Sequence, residues 1–571
     1  MRVRGGARAL GRMGLAWAWG CALLALLWGV DARHQCSRPG VVQILTDDQG
    51  LGEAGFMGHH VLRGHTPHLD ALARGEGTVL FSRFRSSSGT CSPTRGALLT
   101  GRAPWRMGLV GVLPVHRKRS AGAPGKWEDA LGIPTEEVTL ADVLRDRGGY
   151  RTGHFGKWHL GRFAEDEDEE GAGRGLFAPP WRRGFDTCYS TPANQPRLPE
   201  EEADGFTFWD VRKGPGGKQV MWKTGMVEQG RSEETSHTIF RRATAFITEA
   251  VGAGECFYAS IMLFAPHQPY QLQGSRADRK RFRAPFLRMP GLDADAIDYF
   301  ARIKALDAAL GEFLAALDDL GVRNSAILTY SSDNGKAPTA PSVGDDVAPR
   351  LSGKKGNQPK EGSTRVIGLV HWPSIIPGVH ETRMPATDLD FFPTILEAAR
   401  IRYSHGRALD GESLIPLLLD PASFGTSRRH TEIPFLSHLG GSLVSRNGRY
   451  KLAIQDFSKA RTQCRYAKLF DLETDPGEEF DLLKEGGSGS RARANSMLKR
   501  YARWREDVYR SFLGYDYGQN TTWRVPFAPE DRKSFNAMTF DPNARPQRPV
   551  ALDAWLGCGE GNAGCAPWGC P

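Results

Sequence analysis

Six short stretches of this 571-residue chain carry carboxylate, imidazole, ammonium and thiol groups at spacings that hydrolytic chemistry on an anion could use. Asp47-Asp48 directly follows an apolar run, Val41 to Leu45. Two adjacent carboxylates at a strand end are costly unless a cation holds them, and oxygen-only ligation favours Ca2+, then Mg2+, over zinc. Ser332-Asp333-Asn334-Gly335 follows a second run, Ser325 to Ser331, and offers another carboxylate and an amide oxygen. Asp-Asn-Gly is also ordinary turn chemistry, so this stretch is weak alone. Gly156-Lys157-Trp158-His159-Leu160-Gly161 comes after Tyr150 to Phe155. A lysine can hold an anionic oxygen as a point charge, and a histidine can move a proton near neutral pH. Pro266-His267-Gln268-Pro269 follows the run ending at Phe264, and Gly353-Lys354-Lys355-Gly356 precedes Glu361-Gly362 and Thr364-Arg365-Val366. Finally, Cys91-Ser92-Pro93-Thr94-Arg95 sets a lone thiol four residues before an arginine. Taken singly, such a cysteine is most often a small buried apolar residue.

These stretches need a frame. From Gly40 onward, apolar β-rich runs alternate with amphipathic helical ones, the pattern of an α/β domain with a large, mostly parallel sheet flanked by helices. Strands are expected at Val41 to Leu45, Tyr150 to Phe155, Cys256 to Phe264, Ser325 to Ser331 and Val366 to His371. Helices are expected at Pro67 to Arg74, Val138 to Arg147, Ala294 to Leu320, Asp388 to Ala399 and Asp410 to Leu418. Gly96 to Thr100 suggests that Cys91 opens a helix. Open parallel sheets place their sites at the carboxyl ends of the strands, where the candidate residues fall. After about residue 425, short alternating segments at Ser442 to Ser445, Tyr450 to Ile454 and Lys468 to Leu472 predict a small antiparallel sheet. A helix from Ala492 to Phe512 accompanies it. The expected organisation is a signal peptide at 1–32, a catalytic domain at 36–425, a smaller α+β domain at 426–555, and a Cys/Gly-rich tail at 556–571. The acidic stretch from Ala164 to Pro180 reads as a solvated inserted loop.

Composition restricts the setting. Hydrophobic content of 40% excludes wholesale disorder, and 571 residues exceed what one core usually holds. Arg2, Arg4, Arg8 and Arg12 precede an apolar run from Met13 to Val30, the pattern of a secretory signal. That run is also long enough to span a bilayer as an uncleaved anchor; otherwise no stable membrane span is expected. Removing 1–32 takes away four Arg and one Asp, so the net charge falls from +9 to +6. That excess suits an acidic substrate, and without Lys/Arg-and-aromatic motifs it does not point to nucleic acid. Nine cysteines include Cys21 in the signal and Cys91; the other seven are an odd number, so at least one is free or pairs outside the chain. Asn520-Thr521-Thr522 is an N-glycosylation sequon at Asn520.

The six stretches, in their order along the chain, resemble the motifs of the sulfatase family, within the alkaline-phosphatase-like superfamily. The resemblance implies that Cys91 is converted by the formylglycine-generating enzyme to formylglycine, whose hydrate attacks a sulfate ester. It implies metal ligands at Asp47, Asp48, Asp333, Asn334 and the modified Cys91, with Ca2+ as the expected ion. Lys157 and Lys355 would hold the sulfate, His267 would protonate the leaving oxygen, His159 would take the proton of the hydrate, and Arg95 would orient it. Two positions depart from the pattern: Thr94 stands where Ser or Ala is commoner, and Ser363 stands where a second Gly is usual. The gap before Glu361 is also one residue longer than usual, which leaves Lys354 as an alternative to Lys355. A sulfated carbohydrate is the expected substrate, in the secretory pathway and then secreted or lysosomal. The competing readings are a phosphate or phosphonate ester hydrolase of the same superfamily, and an inactive homologue that binds sulfated glycans.

Overall fold

Val41–Asp47 (β1) is buried at every residue, and its side chains alternate between two cores. Val41 and Leu45 join one hydrophobic cluster, Val42 and Ile44 the other. A strand with both faces apolar belongs in the middle of a sheet covered on both sides, and that is where β1 lies. The computed structural model describes residues 36–517, apart from 114–131, 135, 162, 164–177, 193–207, 214–218, 225–233, 344–348, 421–430, 438–439, 457–464, 485–486 and 513. The signal segment, most of the acidic loop, Asn520, Cys464 and the Cys-rich tail therefore lie outside the described residues.

Along the chain the other strands of this sheet and its small neighbour are Thr78–Phe81 (β2), Phe84–Arg85 (β3), Arg151–Lys157 (β4), Thr187–Thr191 (β5), Phe208–Lys213 (β6) and Gln219–Thr224 (β7). Phe257–Pro266 (β8), Ile327–Ser332 (β9), Gly368–His371 (β10), Val379–Thr382 (β11) and Ala386–Thr387 (β12) follow. Ten of them form one sheet in the order β11-β2-β10-β9-β1-β8-β4-β5-β6-β7, while β3 and β12 pair separately. The centre, β9-β1-β8-β4-β5, is parallel throughout. Antiparallel pairing is confined to β10 and to the β5-β6-β7 edge.

One face is covered by Cys91–Thr100 (α2), Leu140–Gly148 (α3) and Phe391–Ala398 (α8), through residues such as Leu98, Val143 and Ile395. The other is covered by Pro67–Arg74 (α1), Thr235–Gly252 (α4) and Ala294–Asp319 (α6), through Leu69, Ile239 and Leu310. Between α4 and α6 lies Arg276–Arg283 (α5), and Glu361–Thr364 (α7) is a single turn. Helix starts follow their capping chemistry: Thr139 and Asp142 make a capping box at α3, and the Asp293 carboxylate accepts from the Ala296 amide at 2.8 Å.

The helix expected from Asp410 shrinks to Ile415–Leu419 (α9). Its first residues are drawn into side-chain bonds instead: the Asp410 carboxylate accepts from Arg106 and the Ala103 amide, both at 2.7 Å. The Glu412 amide donates to Asp390 at 2.8 Å. Such bonds compete with helix. Likewise the segment expected as one helix from Asp388 opens with a 3-10 turn, Asp388–Asp390, before α8.

Ile433–Ser437 (β13), Gly440–Val444 (β14), Tyr450–Asp456 (β15) and Arg465–Asp471 (β16) form a separate, wholly antiparallel sheet. Ser488–Phe512 (α10) packs Ala494, Met497, Leu498 and Tyr501 against its Leu443, Leu452 and Leu469. Cys36 and Cys256 form a disulfide across 220 residues, while Cys91 and Cys188 are buried free thiols.

Candidate active site

Four adjacent strands deliver the site. β1 ends in Asp47 and Asp48, β9 leads into Asp333 and Asn334, β4 ends at Lys157 with His159 just beyond, and β8 runs into His267. Register aligns these ends, with Thr46 opposite Ser332 and Asp47 opposite Pro266. Close approach of the strands has a steric cost that glycine removes. A Cβ on Gly156, whose φ is +104°, would sit 1.9 Å from the Met262 carbonyl oxygen, and one on Gly335 would sit 1.9 Å from that of Gly362. Asp48 and His159 leave their strands in the left-handed region, at φ 66° and 57°. That conformation is uncommon for non-glycine residues, and here it turns each side chain at a strand terminus.

Cys91 is the first residue of α2 and is buried, with Sγ 3.6 Å from Asp47 Oδ1. Lys157 Nζ donates to Asp47 Oδ2 at 2.7 Å. Arg95, one turn along α2, donates to Asp333 Oδ2 from Nη2 at 2.8 Å and to the Lys157 carbonyl from Nη1 at 3.0 Å. The Asp48 amide donates to Asp333 Oδ1 at 3.1 Å, and Asn334 Nδ2 donates to Asp48 Oδ1 at 2.7 Å. Lys355 Nζ lies 2.6 Å from the same Asp48 oxygen, and His267 Nε2 lies 3.7 Å from Asp48 Oδ2. All the residues expected from sequence thus meet in one cluster, except that His159 is held slightly apart, with Nε2 3.1 Å from the Leu113 carbonyl. The doubled lysine separates by its contacts: Lys355 faces the carboxylates, whereas Lys354 is half-buried and bonds Ser342 Oγ at 3.0 Å.

The electrostatics are those of a crowded anionic centre ringed by cations. Burial raises the Asp47 carboxyl, but Lys157, His267, Arg95 and Lys355 outweigh it and hold the group well below the usual range. Asp48 is pushed up by burial and by Asp47, and Asp333 by the same two causes to about 6. Burial, then Asp333, raises the Cys91 thiol far above its ordinary value, so it is neutral at any physiological pH. Burial lowers His267 to about 4 and, with Lys157 and Arg95, takes His159 well below the imidazole range.

The cluster has the donors to hold a metal ion. Asp47, Asp48, Cys91 and His267 each place a ligand atom within 4.8 Å of the others. Asn334 Oδ1 is buried without a hydrogen-bond partner although its Nδ2 is fully used, an orphan that a cation would satisfy.

Several supporting contacts carried no sequence signal. The Leu113 carbonyl fixes His159, and Arg302 on α6 donates to the carbonyls of His267 and Pro269. The loop bearing Lys355 docks beside Cys91 through Gly356 N to Gly89 O at 2.9 Å. Glu361 holds Arg85 at 2.6 Å and Lys451 of β15 at 3.0 Å, joining that loop to the small sheet. Thr94 donates its hydroxyl to the Ser88 carbonyl at 3.2 Å, tying the first turn of α2 to the segment before it.

A parallel-centred sheet flanked by helices, with its polar cluster at the strand ends and a separate small antiparallel sheet, is the alkaline-phosphatase-like architecture. The family model Sulfatase matches residues 39–401. Arylsulfatase A of Bos taurus is 31% identical over 496 residues, covering 81% of this chain and 86% of its own. Steryl-sulfatase of Rattus norvegicus is 29% identical over 480 residues, covering 75% and 78%. Among solved structures, Ps i-CgsB in complex with k-i-k-neocarrahexaose superposes with a TM-score of 0.64 at 23% identity, covering 87% of this chain and all of the other. The chain belongs to the sulfatase family and is a sulfuric ester hydrolase.

Proposed function

We propose that this sulfatase works through a formylglycine made from Cys91, in a site that holds Ca2+, and that its substrate is a sulfated carbohydrate encountered in the secretory pathway. The observation that carries the reading is the state of Cys91. It is a buried, neutral thiol, so it is a poor thiolate nucleophile, yet it stands at a helix N-terminus among Asp47, Lys157, Arg95 and Lys355. An aldehyde hydrate at that position supplies the oxygen nucleophile that a thiol does not, and a bound Ca2+ supplies positive charge to the sulfate oxygens. Because Cys91 is 1% exposed, the formylglycine-generating enzyme must reach it before α2 packs.

The chain's own residues then divide the work. Asp47, Asp48, Asp333 and Asn334 hold the ion. Lys157 and Lys355 bind anionic oxygens as fixed charges, and Arg95 orients residue 91 and Asp333. His267 Nδ1 donates to the Gln268 carbonyl at 2.6 Å, which leaves Nε2 as the atom facing the cluster. The anionic sulfate ester at the cluster raises the basicity of that atom, so it can carry a proton to the leaving oxygen. His159 donates from Nε2 to Leu113, which leaves a buried, unpartnered Nδ1 to accept the proton that re-forms the aldehyde.

For the substrate, the support is the net positive charge expected of the mature chain and a structural neighbour in complex with k-i-k-neocarrahexaose. For the compartment, the Cys36–Cys256 disulfide suits an oxidising environment, and no helix among the described residues is long and apolar enough to cross a membrane. Desulfation assays on defined sulfated sugars, a steroid sulfate, an aryl sulfate and an aryl phosphate, with and without Ca2+, test the reading. Calcium-dependent turnover with a sulfated sugar preferred is expected. Preference for the steroid sulfate, or for phosphate, would contradict it.

A further inference from the structure

We propose that the cavity of about 790 Å3 between α1, α5 and α6 is a second binding site, for a stretch of anionic polysaccharide belonging to the same substrate molecule whose sulfate ester enters the catalytic cluster. The inference rests on the carbohydrate reading above and adds where the rest of that chain is held.

The walls carry His65, His68, Lys280, Arg281, Arg288 and Lys304. Among the described residues, none of the four cations makes an ion pair. Lys304 Nζ lies 3.3 Å from His65 Nδ1, and Arg281 rests over the Phe282 ring at 5.1 Å. Arg283 on the same helix is different: it pairs with Asp298 at 2.9 Å and does not line the cavity. One carboxylate reaches the cavity, that of Asp307, and it is already spent on backbone, accepting from the amides of His68 at 3.2 Å and Leu69 at 2.7 Å. The resulting positive field shows on His65, which burial and then Lys304 push below its ordinary value. Uncompensated cations lining a concavity attract an anion more strongly than the same charges on an open face.

Shape and surroundings narrow the partner. The volume lies in the range of ordinary ligand sites, about 300–1,000 Å3. Pro67, Pro285 and Leu287, the last 59% exposed, give small apolar patches against which the faces of sugar rings can lie. Apart from the imidazoles of His65 and His68, the one aromatic ring of the lining is Phe282, which is 2% exposed, so no large aromatic face is offered to nucleobases. The cavity is also at the right end of the sheet. α1 begins beyond the carboxyl end of β1, and α6 begins at that same end before its chain returns to β9. Arg302 of α6 holds the His267 turn, while Lys304, two residues on, faces the cavity from the other side of the helix. The two sites therefore lie on opposite sides of α6, a separation suited to an oligosaccharide of several rings.

The test uses the full chain. In a Cys91→Ala background, which cannot turn over, calorimetric titration compares a heparin oligosaccharide, its desulfated counterpart and a single-stranded RNA of matched charge at several salt concentrations. The combined variant Lys280→Gln, Arg281→Gln, Arg288→Gln, Lys304→Gln is expected to bind the sulfated oligosaccharide at least tenfold more weakly. Its salt slope should be shallower by roughly 2–3, since each lost contact removes its counterion release. With Cys91 restored, the same variant should keep its kcat/KM for a small aryl sulfate and show a raised KM for the polymer. Unchanged affinity in the variant, no binding by the parent, or RNA bound as tightly as the sulfated glycan would each overturn the assignment. Failure of the carbohydrate reading itself looks different: tight, variant-sensitive binding with no release of sulfate from any glycan.

Discussion

Lys451→Met removes one ammonium from the seam between the small sheet and the catalytic loop, and its effect can be worked from the contacts. Lys451 Nζ lies 3.0 Å from Glu361 Oε1 and 2.9 Å from Glu478 Oε1, and the side chain is 1% exposed. Methionine keeps most of the stem and volume, so the charge is what is lost. Burial raises the Glu361 carboxyl, but Arg85 and then Lys451 pull it far below the carboxylate range. In the variant Glu361 keeps Arg85. Glu478, whose side chain is 5% exposed, loses the one cation it pairs with among the described residues. Leaving a buried carboxylate uncompensated costs roughly 3–5 kcal/mol. For a cooperative unit of this size, that is a fall in Tm of about 3–5 °C. The gap between parent and variant should be full above pH ~4.5 and shrink as pH falls below it, because Glu361 has a depressed native pKa and its pairing is lost on protonation. Activity should suffer as well. Glu478 Oε2 accepts from the Glu361 amide at 2.8 Å and from the Ser352 hydroxyl, so it anchors both ends of the loop carrying Lys355. Displacing a substrate-binding group by about 1 Å can cost up to ~100-fold, and a drop in kcat/KM for aryl sulfate of ~10–100-fold is expected. Adding Glu478→Gln, which removes the stranded charge, should recover part of the Tm. A single variant with Tm within 1 °C of the parent and unchanged kcat/KM would refute the reasoning.

Lys355→Ala should lower kcat/KM for aryl sulfate by at least ~100-fold, since one buried charge at an anion site is worth about 3 kcal/mol, whereas Lys354→Ala should stay within twofold. Asn334→Ala should raise the Ca2+ concentration needed for half-maximal activity by ~10–100-fold, read from a chelator-buffered titration; an unchanged curve would remove the amide from the ligand set. Cys91→Ser is expected to abolish multiple turnover and to trap a sulfated enzyme visible by intact mass, because a serine ester has no second hydroxyl with which to expel sulfate. His154 is neutral in the fold, its pKa lowered by burial to about 3. Its contribution is therefore complete above pH ~6.5 and lost as pH falls toward the native value, by an amount on the order of 2–4 kcal/mol. Urea midpoints between pH 7 and 4 should fall less steeply in His154→Gln; parallel profiles would contradict the assignment.

The site was legible in sequence because its residues sit in short, contiguous motifs at strand ends. Local spacing puts Lys157 and His159 or Asp333 and Asn334 together without knowledge of the fold. The choice between Lys354 and Lys355 was not legible, since it depends on Gly356 docking against Gly89, a contact between residues far apart in the chain. For the same reason Leu113, Arg302 and Lys451 emerge as supports only in three dimensions. The central strands β1, β4, β8 and β9 announce themselves as buried on both faces, and α1 and α6 by their periodicity. The outer strands β6, β7 and β11 lack such runs, and the helix expected at Asp410 yielded to tertiary bonds with Arg106 and Asp390. Composition indicated an oxidising compartment, but the pairing of Cys36 with Cys256 required knowing that the entry to β1 and the start of β8 are neighbours.

Residue 91 carries the proposed chemistry. Peptide mass spectrometry of active, secreted protein should find an aldehyde in place of the thiol at Cys91, with the modified fraction tracking the specific activity toward aryl sulfate across preparations. Full sulfatase activity from protein in which every Cys91 remains an unmodified thiol would contradict it.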